Sequence, residues 1–175
     1  MNMNTRRLVT NAVLIAIYVV LSLYSANLGV LKLSFASFPI LVSALLYGWA
    51  DGLIVGALGG LLNQLLTYGL SVTTLMWILP GMARGLIVGL YAQKHGFRLS
   101  LKQTAGIVLA SSLVVTALNT VALWVDGLIF HYPVALTVGS IALRFASSIV
   151  MAAVYTLVTP RTVQLLSKAA GGKRA

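Results

Sequence analysis

Long apolar runs dominate this chain, and polar residues gather in the short stretches between them. A helix needs about 20 apolar residues to cross the hydrocarbon core of a bilayer. Runs of that kind lie at about 8–28, 35–50, 52–68, 74–93, 104–125 and 134–158. The pattern therefore predicts an all-α, polytopic membrane protein with six transmembrane helices. The second and third runs are short. Joined through Trp49-Ala50-Asp51-Gly52, they read as a tight membrane hairpin. Pro80 falls inside the fourth run, and Thr159-Pro160 is expected to close the sixth.

Composition excludes the soluble alternatives. Apolar residues make up 59% of the 175 and charged residues 8%, against roughly 25% charged in a soluble domain. Twelve Lys/Arg and two Asp/Glu side chains cannot solvate the surface of a water-soluble fold this size. The chain has no cysteine, which removes disulfides and thiolate sites. His95, His131, Asp51 and Asp126 are too scattered to give a metal-ligand spacing. No cofactor is expected.

The charges orient the bundle. Arg6 and Arg7 precede the first run, and Lys94, Arg98 and Lys102 separate the fourth and fifth. Arg161, Lys168, Lys173 and Arg174 follow the sixth. With an even number of spans, all of these share one side, and the positive-inside rule makes that side the cytoplasm. Both termini are then cytoplasmic. The opposite loops, about 29–34, 69–73 and 126–133, hold Lys32 with Asp126 and His131. Five spans would put the C-terminal basic cluster outside. The net charge of +10 thus reads as topology in a lipid bilayer and not as a nucleic-acid footprint. Residues 1–175 form a single membrane domain, a bundle over about 8–158 with a basic cytoplasmic tail from 159. Ser25-Ala26-Asn27 could serve a signal peptidase, but the first run reads as a retained span.

Glycines recur on a four-residue beat at Gly52, Gly56 and Gly60, and again at Gly81, Gly85 and Gly89. Such stripes let helix backbones approach closely in lipid. They read first as internal packing, and secondly as a face sliding on a partner. Ala12 and Ala16 form a similar pair in the first run.

Ionisable side chains at membrane depth face a bundle interior or a watery cavity. Arg84 and Arg144 qualify, with no acid at matching depth beyond a surface-level pairing of Arg144 with Asp126. An arginine fork suits a carboxylate or phosphate. The bland reading has both arginines bonding carbonyls. Polar residues cluster toward the outer half: Lys32, Ser34, Asn63, Gln64, Tyr68, Thr73, Thr74, Trp77 and Asn119, with Trp124 and Asp126 near the end of the fifth run. Trp77 and Arg84 share a helical face. Aromatic planes, amides and deep cations would suit a flat, polar, anionic molecule. Otherwise the aromatics form an interfacial belt and the asparagines bridge helices. No nucleophile-and-base constellation and no phosphate-cradling glycine loop appears, so neither catalysis nor ATP hydrolysis is expected of this chain. A membrane enzyme would need an acid, histidine or metal cluster that is not visible.

The stretch Leu31-Lys32-Leu33-Ser34-Phe35-Ala36-Ser37-Phe38-Pro39-Ile40, then Leu45-Leu46-Tyr47-Gly48-Trp49 and Gly52-Leu53-Ile54-Val55-Gly56-Ala57-Leu58-Gly59, resembles the substrate-binding S components of energy-coupling factor (ECF) vitamin transporters. The likeness covers almost the whole chain and points to the folate-type branch. It implies high-affinity capture of a small anionic vitamin at the outer side of a prokaryotic plasma membrane. It also implies partners: a shared transmembrane coupling subunit and two ATPase subunits. Within the family's pattern, Ala12 and Ala16 map onto the contact with the coupling subunit, and residues around 31–34 onto a loop capping the pocket. Gly59-Gly60-Leu61-Leu62-Asn63 departs from the branch, which carries an acid-containing segment there. Arg84, Arg144 and Lys32 would meet carboxylates, Trp77 and Tyr68 would stack on a ring, and Asn63, Gln64 and Asn119 would bond its polar edge. Pantothenate or another anionic vitamin would meet the same cations, and a facilitator without ATPase partners is the further alternative.

Overall fold

The computed structural model describes residues 5–24, 26–28, 31–131 and 134–169. In chain order the elements are α1 (Thr5–Leu23), β1 (Ala26–Leu28), β2 (Leu31–Leu33), α2 (Ser37–Tyr47), α3 (Trp49–Thr67), α4 (Thr74–Lys94), α5 (Leu101–Phe130) and α6 (Val134–Ala169). The six expected helices are present. Five of them are long and apolar enough to cross a membrane. The other, α2, has only 11 residues, and Pro39 through Leu46 are buried without a break. A helix apolar all round and enclosed by protein needs no lipid-facing length. Between α1 and α2, β1 and β2 pair antiparallel as three-residue strands, with Ala26 opposite Leu33 and Leu28 opposite Leu31.

Three boundaries differ from the apolar pattern. The α2–α3 break falls at Gly48, ahead of the expected hairpin residues, and Trp49 already opens α3. Gly48 has φ +99°, a left-handed conformation, and a Cβ there would lie 2.3 Å from the Gln93 side chain. Glycine meets both demands. Next, α5 continues through Asp126 to Phe130 and stops at His131 in the left-handed region. It begins with a reciprocal cap: Gln103 N–H donates to Ser100 Oγ, and Ser100 N–H donates to Gln103 Oε1. Finally, α6 runs through Pro160 to Ala169. That proline removes one helical hydrogen bond, but packing carries the helix past it: Thr159 is fully buried and Val163 packs against the core.

The two glycine stripes meet each other. A Cβ on Gly56 would lie 2.4 Å from the Gly81 carbonyl oxygen, and one on Gly85 would lie 2.2 Å from that of Gly52. A Cβ on Gly89 would fall 2.2 Å from the Trp49 Cα. The stripes therefore bring α3 and α4 into backbone contact, and they are internal packing and not a partner face. Gly60 differs, since its nearest neighbour to an added Cβ is 3.6 Å away.

The end bearing the basic loops is closed by a polar knot. Arg7 Nε donates to Asp51 Oδ1 at 2.8 Å, and Arg7 Nη2 donates to Asp51 Oδ2 and to the Tyr47 carbonyl. Asn11 Nδ2 donates to the same Oδ1 at 2.6 Å, and Asn11 Oδ1 accepts from Ser43 Oγ at 2.9 Å. Asp51 is fully buried. The start of α1, the end of α2 and the start of α3 are thus tied together at this end. The larger polar cavity lies at the other.

Candidate functional site

A cavity of about 760 Å³ opens in the half of the bundle opposite the basic loops. Helix periodicity builds its walls. On α5, Ser112, Thr116, Asn119, Leu123 and Asp126 recur every three or four residues and form one stripe. On α6, Arg144, Ser147, Ser148, Met151 and Tyr155 do the same. The C-terminal half of α3 contributes Gly60, Asn63, Gln64 and, just past its end, Tyr68. Trp77 and Arg84 come from α4, Tyr18 from α1, and Ser34 and Ser37 from the segment entering α2.

Arg84 is the most buried charged residue of the lining. Its side chain is only 4% exposed. Nη2 donates to Ser112 Oγ at 3.2 Å, and the guanidinium carbon lies 5.7 Å from the centre of the Tyr155 ring, within cation–π range. Nε and Nη1 are buried without a hydrogen-bond partner. An arginine left so incompletely paired in a low-dielectric site is costly. Tyr155 is itself fixed: its hydroxyl donates to the Ser34 carbonyl at 2.7 Å, and its ring meets Phe35 edge-on at 6.5 Å. The cation is thus linked through Tyr155 to the segment that follows the strand pair.

Nearer the open end, Trp77 Nε1 donates to Asp126 Oδ2 at 2.7 Å, which locks the indole against α5. Asp126 Oδ1 is buried and has no hydrogen-bond partner. Thr73 and Gln64 are also buried in this region. Thr67 Oγ1 donates to Asn63 Oδ1 at 3.3 Å, so that amide is partly occupied on its own helix.

The structure brings Ser34, Asn63, Gln64, Tyr68, Trp77, Arg84, Asn119 and Arg144 around this one cavity. Lys32 lies in β2, and its side chain falls outside the described residues. Trp124 is half-exposed on the outer surface, where an interfacial belt residue belongs. Ala12 and Ala16 are exposed on α1, on the face away from buried Asn11 and Leu14. Tyr18, Ser112, Thr116, Ser147, Ser148 and Tyr155 were not expected in the lining, and Asp126 was expected beside the outer polar cluster without a ligand role. The i, i+4, i+7 recurrence of Ser112, Thr116 and Asn119 was the signal available for α5. For Tyr155 the signal was its spacing of eleven residues from Arg144.

A further cavity of about 310 Å³ lies at the basic end, between Arg98, Leu99, Ser100, Pro160 and Gln164. It is smaller and holds no buried charge among the described residues.

Comparison with known proteins agrees with this architecture. Residues 6–169 match the family described as "ECF transporter, substrate-specific component". Among solved structures, one described as "Structure and mechanism of the S component of a bacterial ECF transporter" superposes with a TM-score of 0.73. It has 24% sequence identity and covers 94% of this chain and 99% of that one. At that identity the likeness speaks for the fold. No curated protein sequence matches. A family match over nearly the full length, on a helical membrane bundle with a polar cavity, means that the chain belongs to the substrate-specific components of ECF transporters.

Proposed function

We propose that this component captures an anionic vitamin from the outer side of a prokaryotic plasma membrane, with folate as the leading ligand. The observation that carries the reading is Arg84: buried, and with two guanidinium nitrogens unpartnered at a cavity wall. These two nitrogens face opposite sides of the guanidinium, so a carboxylate would meet one of them, paired with Nη2, and a second acceptor on the ligand or the wall would meet the other. The cavity volume falls within the usual range for small-molecule sites, about 300–1,000 Å³. In this reading Arg84, Arg144 and Lys32 engage acid groups. The indole of Trp77, held by Asp126, stacks on a ring with Tyr68 at the rim. Ser34, Asn63, Gln64 and Asn119 bond the polar edge. Ala12 and Ala16 contact a shared transmembrane coupling subunit, which two ATPase subunits drive. Their exposure on α1 leaves that face open for a partner.

The test is a titration of the purified chain with a vitamin panel that includes folate and pantothenate, read by tryptophan fluorescence and by calorimetry. Saturable folate binding that Arg84→Ala weakens is the expected result. Tight binding of pantothenate instead would keep the anion site and replace the vitamin. No binding of any anion would overturn the reading.

A further inference from the structure

The cavity has two unsatisfied poles, and they differ in sign. Deep inside, Arg84 offers N–H donors without acceptors. Toward the opening, Asp126 offers an acceptor oxygen without a donor, although Trp77 already occupies its other oxygen. A buried carboxylate oxygen left unpaired costs free energy, as an unpaired guanidinium nitrogen does. Both atoms belong to residues lining the same space.

The helices bracket the spacing of the poles between about 10 and 21 Å. Trp77, the partner of Asp126, lies seven residues from Arg84 on α4, which is about 10 Å of helical rise. On α5, Ser112 contacts Arg84 and lies fourteen residues from Asp126, about 21 Å of rise. The ligand that satisfies both poles is therefore elongated. Its polarity is set as well. A ligand acid placed against Asp126 would meet a like charge, whereas the same acid at Arg84 meets its complement.

We propose that Asp126 is a specificity-determining residue that reads an N–H donor edge. The ligand would lie with its acid group at Arg84 and a flat, N–H-bearing heterocycle against Trp77 and Asp126. The proposal rests on the anion reading of Arg84 and sharpens it. It favours vitamins that carry both an acid and an amino-substituted ring over acids that carry no such ring.

The test compares folate, which carries both ends, with 4-aminobenzoylglutamate, which keeps the acid end and lacks the pterin ring. Both are titrated by calorimetry into the wild-type chain, Asp126→Asn, Trp77→Phe and Arg84→Gln. Asp126→Asn is expected to weaken folate at least tenfold and to leave the acid fragment within twofold. Arg84→Gln is expected to weaken both. Trp77→Phe frees the carboxylate without removing it, and is expected to cost folate less than Asp126→Asn does. Wild-type folate affinity in Asp126→Asn would overturn the proposal while leaving the anion reading intact. So would equal losses for both probes in Asp126→Asn, which would make the residue a support for Trp77 alone. Failure of both probes to bind the wild-type chain would overturn this proposal, and the anion reading falls as well only where pantothenate and the other anions of the panel also fail to bind.

Discussion

Arg7 and Arg84 are both arginines on apolar helices, and they sit at opposite ends of one bundle. Around Arg7 the accounting is complete: a carboxylate and a carbonyl accept from it, and Asn11 and Ser43 extend the network. Around Arg84 the accounting is open, with one serine contact, one aromatic face and two empty donors. A membrane protein leaves polar groups unsatisfied at depth only where something else supplies the partner. The closed end holds the bundle together. The open end is shaped for a guest.

That contrast can be broken at several points. The largest effect is expected where α3 and α4 touch backbone to backbone. Gly85→Leu would place side-chain atoms inside the Gly52 peptide, and should destroy the fold outright, seen as loss of monodisperse protein after detergent extraction. Arg7→Ala comes next. It strands Asp51, which is fully buried, and such a broken pair costs about 3–5 kcal/mol. Thermal melting in detergent should show the loss, and replacing Asp51 with leucine in the same chain should restore part of it. Arg84→Gln is expected to behave in the opposite way. It should lower ligand affinity about 100-fold, equivalent to about 2.7 kcal/mol, with a melting temperature at or above that of the wild type. Ala12→Trp should leave binding within twofold, because Ala12 faces away from the cavity, yet it should block ATP-driven uptake by the assembled transporter. The smallest effect is expected at Gly60→Ala. Its Cβ would meet only ordinary contacts, so the stability change should stay within about 0.5 kcal/mol.

Much of this architecture was legible in the residue pattern, because lipid imposes simple rules. Apolar runs located the helices, and two four-residue glycine beats marked the faces that pack. Deep polar residues on shared helical faces converged on a single cavity. What stayed hidden depends on tertiary pairing. Arg7 was readable as a topological charge and Asp51 as a turn residue, but their contact spans 44 positions and arises only when α1 packs on α3. Asp126 was readable as a boundary residue. Its role in the cavity emerges because α5 stays helical four residues beyond it and turns it toward Trp77. The serine and threonine stripes were ambiguous for another reason. In membrane helices these hydroxyls often bond their own backbone, as Thr116 does to the Ser112 carbonyl at 2.9 Å. Only the facing arginine gives Ser112 a further role. Pro160 misled in the usual direction, since a proline marks a helix end only where no packing carries the helix past it.

The most direct test of the contrast between the two ends is the ligand-induced shift in melting temperature, measured side by side for wild type, Arg84→Gln and Arg7→Ala with saturating folate. Binding to the native state alone raises stability by about 4 kcal/mol at a thousandfold excess over Kd. The account expects a clear upward shift in the wild type. It expects a shift of similar size from a lowered baseline in Arg7→Ala, and little or none in Arg84→Gln. An undiminished shift in Arg84→Gln would contradict it, for the unsatisfied arginine would then be part of the frame and not the seat of the ligand.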